Sequence, residues 1–196
     1  MSKQQDNLDL TEPKDKIAIV TGAGNNGIGW GLCKHAAGHL GMHIVAMDLH
    51  ENLVDSAQER LRSAYPDVKA LGIACDVTKP EELSTALSTI EAYFPDSEIG
   101  AVFANAGTLF HKTILQSSIE EWATTLNVNV IGVVNTIKAV LPKMQNSEAS
   151  SIFAPQPRWA DWFGATAAQH PTRPANMPLY HSLNPCPLKS QADHRK

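Results

Sequence analysis

Cysteine is scarce in this chain. Three residues in 196, Cys33, Cys75 and Cys186, are scattered without any paired spacing. They indicate neither a disulfide framework nor a thiolate metal or redox site. An excess of basic charge is also missing. The formal net charge of -4 and the pI near 6.0 give no electrostatic reason for a nucleic-acid or anionic-membrane partner. No uninterrupted apolar run reaches the roughly 20 residues of a bilayer span. The opening MSKQQDNLDLTEPKDK has no apolar core of the secretory kind. The expectation is a soluble, cytoplasmic protein with no nucleic acid and no membrane as partner. A chain of 196 residues is most simply one domain, large enough to bury a core.

The most informative absence is local. Residues 155–196 contain no valine, no isoleucine and only three leucines, Leu179, Leu183 and Leu188. They hold seven of the twelve prolines but one of the twelve glycines. Five Lys/Arg against two Asp give this stretch a charge of +3, while eleven against eighteen give residues 1–154 a charge of -7. Buried parallel strands need branched apolar runs, and prolines interrupt helices. The expected organisation is a polar N-terminal segment at 1–15, a domain over 16–154, and an irregular tail at 155–196. Trp159, Trp162 and Phe163 could seat a short part of that tail, and early protease cleavage is expected at Arg158 and Arg173.

Within 16–154 the pattern is strand, helix, strand, helix. IAIVTG (17–22), HIVAMD (43–48), ALGIACD (70–76), IGAVFANAG (99–107) and SSIFA (150–154) read as strands. Helices are expected at about 28–40, closed by Gly41, at 51–65, stopping before Pro66, at 79–94, with Pro80 early, and at about 117–144, ending near Pro142. Such alternation implies an α/β fold with a doubly wound parallel sheet, Rossmann-like, ending at its fifth strand.

TGAGNNGIG (21–29) joins the first strand to the first helix. Glycines there permit a tight turn and let the backbone approach a pyrophosphate at a helix N-terminus. Asp48 closes the second strand nineteen residues beyond Gly29. A carboxylate at that point can accept from both ribose hydroxyls and repels a 2′-phosphate, and the turn itself carries no Arg or Lys. NAD is therefore expected in preference to NADP. YPDVK (65–69) has the form Tyr-x-x-x-Lys, but Pro66 opposes a helix through it, so the two side chains do not share a helical face. It is a turn sequence. His35 and His39, four apart, lack a third ligand and do not make a metal site. Trp30 and Trp122 are expected to be packing residues.

The Thr-Gly and Gly-Ile-Gly of the turn, Asp48, the Asp-Val of CDVT (75–78), Asn-Ala-Gly at 105–107 and NVNVIG (127–132) occur in an order and spacing that resembles the short-chain dehydrogenase/reductase family. The resemblance covers 16–154. One departure is the four residues between Gly22 and Gly27, where the family has three. The resemblance implies that Gly22, Gly27, Ile28 and Gly29 hold the cofactor phosphates. It further implies that Asp48 holds the ribose, Asp76 and Val77 the adenine, and that Asn105, Ala106 and Gly107 pass close to the cofactor. Asn129 would be the helix asparagine of the catalytic set. It also implies an alcohol or ketone substrate and a homo-oligomer formed through the 117–144 helix.

The family's serine, after the fifth strand, aligns here with Gln156 or Pro157, and its tyrosine with Gln169 or His170. Tyr180 is followed four later by Asn184, not lysine, and Ser150 and Ser151 precede the strand core. The catalytic Ser and Tyr-x-x-x-Lys are missing. A frameshift, a retained intron, alternative splicing or a gene-model error would each replace a family sequence abruptly at such a point. Two functions follow: an NAD(P)-dependent oxidoreductase of this family, or a dinucleotide-binding remnant without catalysis.

Overall fold

The computed structural model describes residues 13–24, 26–110, 112, 115–144 and 151–154. Expectations for 1–12, for Ser150 and for the tail from Pro155 onward, including Gln156, Pro157, Trp159, Trp162, Gln169, His170 and Tyr180, lie outside these residues. The elements run β1 (Ile17–Thr21), α1 (Ile28–Leu40), β2 (His43–Asp48), α2 (Glu51–Ala64), β3 (Ala70–Ala74), α3 (Pro80–Tyr93), β4 (Ile99–Phe103), α4 (Ile119–Leu126), a π-helical stretch (Asn127–Gly132), α5 (Val133–Met144) and β5 (Ser151–Phe153). All strand pairs are parallel, in the order β3-β2-β1-β4-β5. The expected doubly wound sheet is present.

Every residue of β1 is buried, as a central strand covered on both faces requires. Its side chains alternate between two cores. Ile17 and Ile19 join Val45, Leu83, Ile90, Val140 and Met144 beneath α3 and α5. Ala18 and Val20 join Ile44, Ala57, Leu61 and Cys33 beneath α1 and α2. Truncating a fully buried side chain such as Ile90 to alanine should cost about 2–5 kcal/mol. Gly41 ends α1 in the left-handed region at φ 62°, its N–H bonded to the Ala36 carbonyl.

YPDVK forms the link from α2 to the amino end of β3, away from the strand carboxyl ends. Tyr65 closes α2 through its N–H to Leu61 and lays its ring against Gly38 of α1. The proline-directed break expected from the sequence is observed.

Several boundaries differ from the sequence reading. The chain leaves the sheet after Phe103, so 104–107 form a loop, and β3 ends at Ala74. The 119–144 helix contains six π-helical residues in the NVNVIG segment. It also continues two residues past Pro142, which is exposed in the last turn, where losing one backbone bond is tolerated. Trp122, expected as a packing residue, is 45% exposed, because α4 buries none of its residues. The span Ile119–Met144 is long and apolar enough to cross a bilayer by length and composition alone. Its second half nevertheless seats Val140 and Met144 in the core beneath the sheet.

Candidate functional site

In the order β3-β2-β1-β4-β5 the chain reverses direction of winding between β1 and β4. In open parallel sheets the crevice beyond the strand carboxyl ends at this switch point receives ligands. The residues gathered there come from four segments.

The first is the turn after β1. Gly22 has φ +69°, and a Cβ there would lie 2.9 Å from the Ala106 Cα. A Cβ on Gly29 would strike the Gly22 carbonyl oxygen. Both positions require glycine, one for its conformation and one for closeness. Gly27 precedes α1 without a side-chain cap, and Ile28 is exposed, so the first-turn amides of a 13-residue helix are open to an anion.

The second segment is the end of β2. Asp48 Oδ2 accepts from Gly24 N–H at 2.9 Å and Oδ1 from Leu49 N–H at 2.8 Å. The carboxylate thus fixes the glycine-rich turn to the end of β2. The third segment follows β3. Asp76 Oδ1 accepts from the Thr78 N–H and hydroxyl at 2.9 and 2.7 Å, while Lys79 stands 3.9 Å from Oδ2. Val77 is buried against Gly132 of the π-helical stretch, and its carbonyl accepts from Asn135. The preceding Cys75 thiol is pushed up to about 11, first by burial and then by the Glu82 and Asp76 charges. It is no nucleophile at neutral pH.

The fourth segment follows β4. Asn105 Nδ2 donates to the Thr21 carbonyl at 3.0 Å, and Ala106 N–H donates to the Thr21 hydroxyl at 2.9 Å. These bonds hold the parting ends of β1 and β4 together. Gly107 lies beside Asn129, whose Oδ1 accepts from Thr108 N–H at 2.8 Å and whose Nδ2 donates to the Thr108 carbonyl at 2.9 Å. Both polar ends of Asn129 are engaged with one backbone residue, and the helix is π-wound where it reaches out to make the pair. Such windings recur at functional sites.

Two contributors escaped the sequence reading. Thr21 was legible only as the start of a glycine turn, yet its hydroxyl is the link between strands. Arg60 comes from α2: its Nη2 donates to Asn26 Oδ1 at 2.7 Å, and its guanidinium lies 3.7 Å from the centroid of the Trp30 ring. The turn itself carries no cation, but the fold brings one to it. The signal was the seven-residue spacing from Leu53, which places both on the α2 face toward the turn.

His35 and His39 face each other on α1 with ring centroids 4.8 Å apart. No group of three potential metal-ligating side chains gathers among the described residues. A groove of about 420 Å³ between α3 and α5, lined by residues such as Pro80, Leu87 and Lys138, contains none of the candidate site residues.

Residues 16–154 match the profile described as short chain dehydrogenase. An uncharacterised oxidoreductase of Staphylococcus saprophyticus is 29% identical over 143 residues, which are 73% of this chain and 59% of that protein. A short-chain dehydrogenase/reductase from Burkholderia phymatum, solved in complex with NAD, superposes with a TM-score of 0.65 at 29% identity, covering 72% of this chain and 48% of the other. L-sorbose reductase from Gluconobacter frateurii, solved with NADPH and L-sorbose, gives 0.61 at 25% identity, covering 70% and 50%. The chain spans about half the length of the relatives it matches.

Proposed function

The chain belongs to the short-chain dehydrogenase family, and from that premise we propose that it binds NAD, in preference to NADP, in the crevice at the switch point. The observation that carries this reading is Asp48, placed at the end of β2 with its carboxylate on the glycine-rich turn. There it would accept from the adenosine ribose hydroxyls and repel a phosphate on the 2′ oxygen. Gly22, Gly27, Ile28 and Gly29 would take the pyrophosphate on the open α1 amides, Asp76 and Val77 the adenine, and Asn105, Ala106 and Gly107 the side toward the nicotinamide. When bound, the cofactor would supply the hydride acceptor for an alcohol, or as NADH the donor for a ketone. The chain's own part is to bind and orient it.

The reaction class is family oxidoreduction of an alcohol or ketone, but no Ser and Tyr-x-x-x-Lys stand after the fifth strand, where the family resemblance places the groups that move the proton. A missing general acid costs about two to four orders of magnitude. In this chain the cofactor half of the site would therefore stand without the proton-transfer half. We further propose self-association through the 119–144 helix, supported by the exposed stripe Ile119, Trp122 and Leu126 on α4. Isothermal titration with NAD and NADP tests the cofactor reading. NAD should bind more tightly, and Asp48→Ala should weaken NAD while narrowing the difference. Equal or tighter binding of NADP by the unaltered chain would sink it.

A further inference from the structure

The glycine-rich turn is secured at two points. Gly24 donates its N–H to Asp48, and a Cβ on it would collide with Leu53 Cβ of α2. Two turns further along the same face of α2, Arg60 reaches Asn26. The guanidinium is restrained a second time, because its carbon lies 3.7 Å from the centroid of the Trp30 ring. Trp30 is 8% exposed and rooted in the first turn of α1. The turn, the start of α1 and the middle of α2 thus form a closed circuit through Asn26, Arg60 and Trp30.

We propose that Arg60 is a positioning residue that holds the glycine-rich turn in the shape that accepts a pyrophosphate. This role rests on the dinucleotide-binding reading above. A turn rich in glycine has many conformations, and ordering it on binding would cost affinity. Arg60 removes that cost beforehand, acting through Asn26 rather than on the ligand. Arginine suits the task because its plane can stack on an indole while its edge still donates.

Calorimetry with NAD and NADP, together with hydrogen exchange of amides 22–29 in the ligand-free protein, tests this on the full chain. Arg60→Ala and Asn26→Ala should each weaken NAD about tenfold and speed exchange of the turn. The double variant should also lose about tenfold rather than a hundredfold, since both remove the same link. Arg60→Lys should fall between, keeping charge but not the stacked plane. Asn26 is exposed, so its variant folds whatever becomes of Arg60→Ala. NAD affinity within twofold of the unaltered chain in both single variants would overturn the role, as would multiplied losses in the double variant. A loss confined to NADP would overturn it too, by making Arg60 a direct phosphate contact. Failure of the unaltered chain to bind NAD defeats the proposed function instead. Exchange then judges the anchor alone, with faster exchange upholding it and unchanged exchange refuting it.

Discussion

Asn129 shows how much one side chain can fix. Its amide satisfies both the donor and the acceptor of Thr108, so the loop after β4 is tied to the helix at that residue. Asn129→Ala should destabilise the protein by about 1–3 kcal/mol, read as a lowered denaturation midpoint. Asn129→Asp should not rescue it, because a carboxylate cannot donate to the Thr108 carbonyl. His43 governs a different property. Its Nδ1 accepts from Lys69 N–H at 3.2 Å, and its ring stacks on Phe94. Burial, and then the Lys69 charge, lower its pKa from 6.5, with Asp15 opposing. The unfolded chain therefore takes up this proton first as pH falls. The contribution is fully present above about pH 6.5 and is lost as pH descends toward the lower folded value. Melting temperature measured from pH 7 to 5 should decline, and His43→Gln should flatten that decline.

At the scale of elements, α4 is well formed yet none of its residues is buried. Ser118 and Glu121 make a reciprocal capping box, Ser118 Oγ accepting from Glu121 N–H and the Glu121 carboxylate accepting from Ser118 N–H. The helix leaves Ile119, Trp122 and Leu126 exposed at spacings of three and four, a continuous apolar stripe. If the proposed self-association runs through this stripe, Trp122→Glu should lower the sedimentation coefficient without lowering helix content. A sedimentation profile that this substitution leaves unmoved would count against self-association through α4. The strands were legible because β1, β2 and β4 carry apolar residues on both faces, and the turns because glycine and proline mark them. The π-helical stretch was not, since apolar spacing in NVNVIG fits an α-helix equally well. Periodicity likewise gives a helix an apolar face without saying what meets it, which is why Trp122 reads as a packing residue in the sequence and lies exposed here.

Across the whole molecule, the glycines and Asp48 at the switch point were legible as landmarks of the fold and the links that brace them were not. Glycines declare themselves by the conformations only they adopt, and Asp48 by its place at a strand end. The Thr21–Ala106 and Arg60–Asn26 links join residues 85 and 34 apart, for which one sequence offers no local signal. With NAD and a panel of secondary alcohols the chain should form no NADH above background even where calorimetry shows binding. Turnover at rates typical of the family would show that another group moves the proton. The Thr21 brace also has a meaning for time as well as for place. The β1-α1-β2-α2 half closes through contacts near in sequence, whereas β1 meets β4 only after some eighty residues have been gathered in. Closures of long range are slow and late. The crevice is therefore among the last parts to exist during folding and among the first to be lost on unfolding. A ligand lodged there should lengthen the lifetime of the native state, slowing unfolding while leaving the rate of folding nearly as it was.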